Sequence, residues 1–152
     1  MHLIKNGDLT DARVLALLEL HLKRSRAETA TGSAHALDIA ALQHPDLRFW
    51  TIWQSQNLVG MGALKRLSTD HGEVKSMRTV KAARRTGVAS AMLGHIVDGA
   101  RALGMTRLSL ETGSWAYFDP ARALHRKHGF IECAPFGDCV LDPNSVFMTR
   151  NI

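Results

Sequence analysis

Apolar residues recur at two different spacings along this chain, and the switches between them outline its elements. Residues 3–5 predict a brief first strand. Val14, Leu15, Leu18 and Leu22 then fall three or four apart, one face of a helix, with Thr10 or Asp11 placed to cap it. Residues 28–32 are polar and small and predict a break. Ser33 stands where it would cap a second helix to about residue 42, with Ala36, Leu37, Ile39 and Ala40 available for burial. His44-Pro45-Asp46 predicts its end, because proline pushes the preceding residue out of helical geometry. Phe49, Ile52, Trp53, Leu58, Val59, Met61 and Leu64 supply β-favouring side chains to strands at 49–54 and 58–66, joined across Ser55-Gln56-Asn57. A strand at 73–80 runs into a basic turn, after which Val88, Met92, Ile96, Ala100 and Leu103 return to helical spacing. A strand at 107–112 and a helix closing in Arg126-Lys127-His128 follow. Strands that are first antiparallel and then flank a crossover helix predict a mixed α/β sheet. Internal repeats and low-complexity tracts are absent.

The basic turn carries the most chemistry. A chain that leaves a strand and enters a helix at Gly87 points several backbone N–H groups, and the positive end of a helix dipole, at one place. That is an anion site built from main chain, suited to a pyrophosphate. A dinucleotide fold would need Gly-x-Gly-x-x-Gly, and this turn holds one glycine; a P-loop string is missing altogether. The string present is Arg84-x-x-Gly87-x-Ala89. Taken alone it also suits an ordinary basic loop before a surface helix.

With its surroundings, the string resembles the Gln/Arg-x-x-Gly-x-Gly/Ala signature of the GNAT superfamily, the acyl-CoA-dependent N-acetyltransferases. The resemblance covers nearly the whole chain. Arg126-Lys127-His128-Gly129-Phe130 is similar to the superfamily's helix-to-strand turn. Gly72-Glu73-Val74-Lys75-Ser76-Met77-Arg78-Thr79, Leu110-Glu111-Thr112-Gly113 and Pro135-Phe136-Gly137-Asp138 resemble one branch of bacterial acetyltransferases, and residues 142–148 resemble that branch's terminal strand. The resemblance implies a single domain over residues 1–152. It implies an α/β (α+β) fold: a mixed central sheet of six to seven strands, about four helices, and a cleft where the fourth and fifth strands splay apart. It implies acetyl-CoA as co-substrate, no metal, and direct transfer from a ternary complex.

In that frame, strand-edge amides of Met77 and Thr79 would pair with the pantetheine arm, extending the sheet as a peptide would. Arg78, Arg84, Arg85, Thr86, Gly87, Val88, Ala89 and Ser90 complete the expected cofactor site, with Gly87 required for close backbone approach. Acyl transfer to an amine needs a proton acceptor and an oxyanion donor, and a proton for the leaving thiolate. Glu73 is the first candidate base, through a water, and Glu111 the second; a salt bridge from Glu73 to Lys75 is the structural alternative. The backbone amide of Thr79 is the candidate oxyanion donor. His125 occupies the position where the superfamily often has a tyrosine acid, and either protonates the thiolate near neutral pH or packs. Phe118 replaces a common asparagine, and Tyr117 beside it is expected off register. His35, Lys75 and Phe118 are the substrate-side candidates, with Trp115 and Phe136 as further aromatic walls or core.

Composition narrows the partners. The 152 residues carry a formal charge of +5, scattered rather than striped, so nucleic acid is not expected; the one useful cluster is Arg78, Lys81, Arg84 and Arg85 beside the turn. Lys23, Arg24 and Arg26 read as a solvated helix end. Two cysteines, Cys133 and Cys139, make no disulfide framework, and His125 with His128 lacks a third metal ligand. No membrane span and no secretory signal are visible, so a cytoplasmic location is expected. The expected acceptor is a small amine or amino-acid-like molecule. The alternatives are a protein N-terminus or lysine, and a non-catalytic acyl-CoA-binding sensor module. Similar proteins are commonly homodimers.

Overall fold

The computed structural model describes residues 2–28 and 39–152. In chain order its elements are β1 (Leu3–Asn6), α1 (Ala12–Ala27), α2 (Ile39–Leu42), β2 (Leu47–Gln54), β3 (Asn57–Arg66) and β4 (His71–Thr79). A 3-10 turn at Lys81–Ala83 leads to α3 (Val88–Ala102) and β5 (Arg107–Gly113). A second 3-10 turn at Ala116–Phe118 precedes α4 (Asp119–Lys127), β6 (Ile131–Glu132) and β7 (Ser145–Asn151). The seven strands form one sheet in the order β1-β2-β3-β4-β5-β7-β6. Only β4 and β5 are parallel, as the α3 crossover between them requires. The expected mixed sheet with four helices is present. The predicted helix start at Ser33 lies outside the described residues.

Alternation along the strands divides the core in two. In β2, Trp50 and Ile52 enter the cluster that holds Met92, Leu93, Ile96 and Ala100 of α3. Leu47, Phe49 and Trp53 point the other way, onto Val14, Leu17 and Leu18 of α1 and Leu42 of α2. The buried stripe of α1 is therefore Val14, Leu17 and Leu18, with Leu15 and Leu22 at its half-buried margins. Asp11 caps this helix, its carboxylate accepting from the Arg13 N–H at 2.8 Å. On the other face α3 lies tight against β3. A Cβ added at Gly62 would stand 2.7 Å from Met92 Cγ, so glycine sets the depth of that packing.

The fifth strand stays with the fourth for three residues only. His71, Gly72 and Glu73 pair with Arg107, Leu108 and Ser109. A side-chain chain locks that end: His71 Nε2 lies 2.7 Å from Ser109 Oγ, which lies 2.9 Å from Thr149 Oγ1 of β7. Beyond it, β5 pairs with β7 up to Gly113, while β4 continues along β3. A register shift opposite Met61–Ala63 inserts an extra residue in β4, and Ser76 there has φ 55°. A bulge of this kind increases local twist and bends its strand, which turns the end of β4 away from β5. Left-handed geometry at a serine costs about 1–2 kcal/mol.

Ser76 Oγ is also buried and has no hydrogen-bond partner among the described residues. We predict that Ser76→Gly leaves unfolding free energy within about 1 kcal/mol of wild type, since glycine accepts the left-handed region. Ser76→Val should destabilise by about 1–3 kcal/mol. Urea denaturation measures both, and equal stability of the two variants would contradict a strained bulge.

Candidate active site

The diverging strands open a cleft of about 730 Å³. Glu73 to Thr79 of β4 form one wall and Leu110 to Gly113 of β5 the other; α1, α4 and the turn before α3 close its ends. Val80 N–H donates to Val59 O at 2.9 Å, and Gly60 stands opposite Thr79. Strand alternation therefore turns the N–H of Met77 and of Thr79 away from β3, to the side that β5 has left. The N–H groups of these two residues thus face the cleft.

The phosphate-turn candidates gather at the start of α3. Arg84, Arg85, Gly87, Val88, Ala89 and Ser90 all line the cleft, with both arginines exposed. The first bond of the helix runs from Ala91 N–H to Gly87 O, so the N–H groups of Gly87 to Ser90 have no acceptor within α3. No side chain caps them. Gly87 has φ 86°, while a Cβ there would meet nothing within 4 Å. What the protein itself demands of Gly87 is thus a left-handed backbone rather than room. Thr86 differs from its neighbours: it lies outside the cleft lining, and its hydroxyl donates to Ala83 O, tying the turn. Ser90 Oγ lies 3.0 Å from His128 Nε2, which joins the end of α4 to the start of α3.

The candidate acid–base groups sit at the closed end of the wedge. Glu73 is 5% exposed and bonded by Lys75 Nζ at 3.1 Å, so the salt bridge weighed as the structural alternative is formed. Glu111 lies across from it and faces Cys139 Sγ at 3.7 Å. Burial, reinforced by Glu111 and Glu73, pushes the Cys139 thiol up to about 11. Burial also raises Cys133. Both remain thiols at neutral pH, which leaves neither as a thiolate nucleophile.

His125 lines the cleft, but it is buried, its ring set edge-on to Phe130 with centroids 5.6 Å apart. Its Nδ1 has no hydrogen-bond partner among the described residues. Burial, with a lesser push from His128, takes its pKa down to about 4. This ring is uncharged near neutral pH and packed on Phe130, which favours the packing alternative.

At the α1 end Arg78, expected with the cofactor, and Tyr117, expected off register, meet His21, which the sequence did not single out. Arg78 Nε donates to His21 Nδ1 at 2.9 Å, and Arg78 Nη2 donates to Tyr117 OH at 3.1 Å. Met77 packs into the α3-side core, so its neighbour Arg78 projects to the α1 face. The guanidinium is thus engaged away from the α3 side, where the phosphate turn opens. Burial, then the Arg78 charge, lowers His21 to about 4. His21 follows Leu17 and Leu18 by four and three residues, which puts it at the rim of the apolar stripe and was the available signal. Lys23, Arg24 and Arg26 are exposed as expected, but Ser25 between them lines the cleft.

Of the aromatic candidates, Phe118 lines the cleft and closes against Gly113. Trp115 and Phe136 do not. Trp115 is 41% exposed and donates Nε1–H to Asn144 Oδ1, and Phe136 is buried against His71 and Phe147. The connection from β5 to α4 is held by buried Arg122, which donates to Gly113 O and Trp115 O and pairs with Asp119. His35 lies outside the described residues. Among the described residues no three His, Cys, Asp or Glu side chains converge as a metal site, and no helix is long and apolar enough to cross a membrane.

Comparison with known proteins agrees with this geometry. Residues 14–130 match the acetyltransferase (GNAT) family. YsnE of Bacillus subtilis strain 168, an uncharacterized N-acetyltransferase, is 48% identical over 152 residues, spanning 100% of both chains. The IAA acetyltransferase of Azospirillum brasilense is 41% identical over 120 residues, 78% of this chain and 76% of that one. A solved structure of a candidate acyl-CoA N-acyltransferase from Klebsiella pneumoniae aligns with TM-score 0.81 at 26% identity, covering 99% of this chain and 97% of that one.

Two buried neutral histidines make stability pH-dependent. The folded pKa values of His21 and His125 are depressed to about 4 from 6.5, so the unfolded chain binds more protons between those limits. Stability is then complete above pH 6.5 and falls as pH drops towards 4, by up to about 1.4 kcal/mol per pH unit for each histidine. We predict a declining Tm over this window and a shallower decline in His125→Gln. Identical pH profiles would show that His125 is protonated without penalty in the fold.

Proposed function

The chain belongs to the acetyltransferase (GNAT) family, and from that premise we propose that it transfers an acetyl group directly from acetyl-CoA to a small amine or amino-acid-like acceptor. One observation carries the reading: a strand edge with inward N–H groups at Met77 and Thr79 opens into the same cleft as four uncapped N–H groups of α3. These suit the two ends of one ligand, an amide-bearing arm and a pyrophosphate. Arg84 and Arg85 add positive charge beside the second end. Bound there, acetyl-CoA supplies an activated thioester; the protein supplies position and proton handling.

For an amine and an acetyl thioester to become an amide and a thiol, the N–C bond forms, the C–S bond breaks, and one proton passes from nitrogen to sulfur. We assign Glu73 as proton acceptor, acting through a water at the closed end of the wedge, with Glu111 on the opposite wall as second choice. Lys75 fixes the Glu73 carboxylate in place. The N–H of Thr79 belongs to the arm-binding edge and stands six residues along β4 from Glu73, about 20 Å in an extended strand, too far to serve the same reacting carbon. His125, neutral at physiological pH, serves as a wall and polar contact. An ordinary thiol titrates near about 8.5, so release near neutral pH to slightly basic pH demands little from a protein acid.

Purified protein with acetyl-CoA and an amine panel, followed by free-thiol release, tests the reading. Thiol release dependent on a small amine supports it, release dependent on a peptide amine favours the protein-acceptor alternative, and CoA binding with no turnover favours a sensor. We predict that Gly87→Glu weakens CoA binding at least roughly tenfold, through left-handed strain and a negative charge at the helix start. Unchanged affinity would remove the phosphate-turn assignment. Glu73→Gln should lower kcat by roughly 100-fold with little change in CoA affinity, and an unaltered pH–rate profile would exclude Glu73 as base.

A further inference from the structure

Arg78 is a half-buried cation of the cleft to which the acyl-transfer reading gives no task. Its guanidinium is half-buried between α1 and the turn at Ala116–Phe118. Both groups it bonds are neutral. Tyr117 OH accepts from Nη2, and His21 Nδ1 accepts from Nε, which requires a lone pair on that ring nitrogen and hence an uncharged imidazole. Among the described residues no carboxylate pairs with Arg78. The buried carboxylate of the cleft, Glu73, is taken by Lys75, and Glu111 faces Cys139.

A partly desolvated guanidinium with no anion keeps its desolvation penalty uncompensated. Two neutral hydrogen bonds fix the plane of the fork without neutralising it. We infer that the missing anion arrives with the acceptor, whose carboxylate docks on Arg78 at the α1 end of the cleft, in a fork oriented by His21 and Tyr117. A planar, always-charged fork is the group best matched to a carboxylate. Nη1, which has no protein partner among the described residues, is available to one of its oxygens. The acceptor class is therefore narrowed to amines that carry a carboxylate, such as free amino acids. Lysine side chains and ordinary protein N-termini lack that group near the amine. The inference rests on the acyl-transfer reading of the same cleft, and deepens it.

The test is calorimetric titration of CoA-saturated protein with the standard α-amino acids, β-alanine and γ-aminobutyrate, each against its carboxamide. At least one acid should bind, with its carboxamide at least roughly tenfold weaker, the scale of a hydrogen bond to a charged group. Arg78→Gln, titrated at saturating CoA, should erase that difference. Arg78→Lys, which keeps the charge, should restore part of it, and a folded Tyr117→Phe should weaken acid binding less than Arg78→Gln does. Equal binding of acids and carboxamides, or a preference that survives Arg78→Gln, overturns the carboxylate site. So does failure of every acid to bind, and in each case CoA binding and amine-dependent thiol release can still stand. If the protein binds no CoA, the acyl-transfer reading falls instead, and the same titration of free protein decides the Arg78 site separately.

Discussion

The parting of β4 from β5 after three paired residues is the constraint on which the site depends. A strand interior normally satisfies its N–H and C=O groups on both sides. Here β4 is paired on the β3 side throughout, and on the other side only to Glu73. The bulge at Ser76 bends β4, β7 draws β5 along its whole length, and the His71–Ser109–Thr149 chain keeps the joined end from opening further. A wedge results, with backbone groups along its edge and α3 opening beside its wide end. The fold thus holds an unfilled strand position in its centre rather than at a margin.

Charge is distributed to match. Exposed Arg84 and Arg85 sit with the uncapped amides of α3, where an anion would gain from both charge and helix dipole. The closed end holds Glu73 with Lys75, and Glu111 with a protonated Cys139. The α1 end holds Arg78 between two neutral partners. Burial is what keeps the two histidines that line the cleft neutral: desolvation penalises the imidazolium at His21 and at His125 more than any neighbour does. A neutral His21 can accept from Arg78, whereas a charged one would repel it.

Much of this was legible beforehand. Val14 to Leu22 and Val88 to Leu103 announced α1 and α3 by period alone, and the strands at 49–54 and 58–66 were placed within two residues of their observed bounds. Gly87 and the arginines before it were legible because the turn is local: strand end, glycine and helix start lie within ten residues. What the sequence left open were side chains whose surroundings are distant along the chain. Phe136, wall or core by sequence, is core because His71 and Phe147 close on it. Tyr117 looked off register and enters the cleft because Arg78, thirty-nine positions away, receives it.

The sequence by itself determined most of the elements, their order, the family and the glycine turn before α3, since each follows from spacing, propensity and short-range backbone geometry. Tertiary structure decided which charges meet and which titrate. It buried His125 and so removed it as a cation, paired Glu73 with Lys75, and carried Arg78 to His21 across the α1 face without a carboxylate. The physical reason is that desolvation and ion pairing depend on the packing of residues far apart along the chain, and no local pattern encodes that distance.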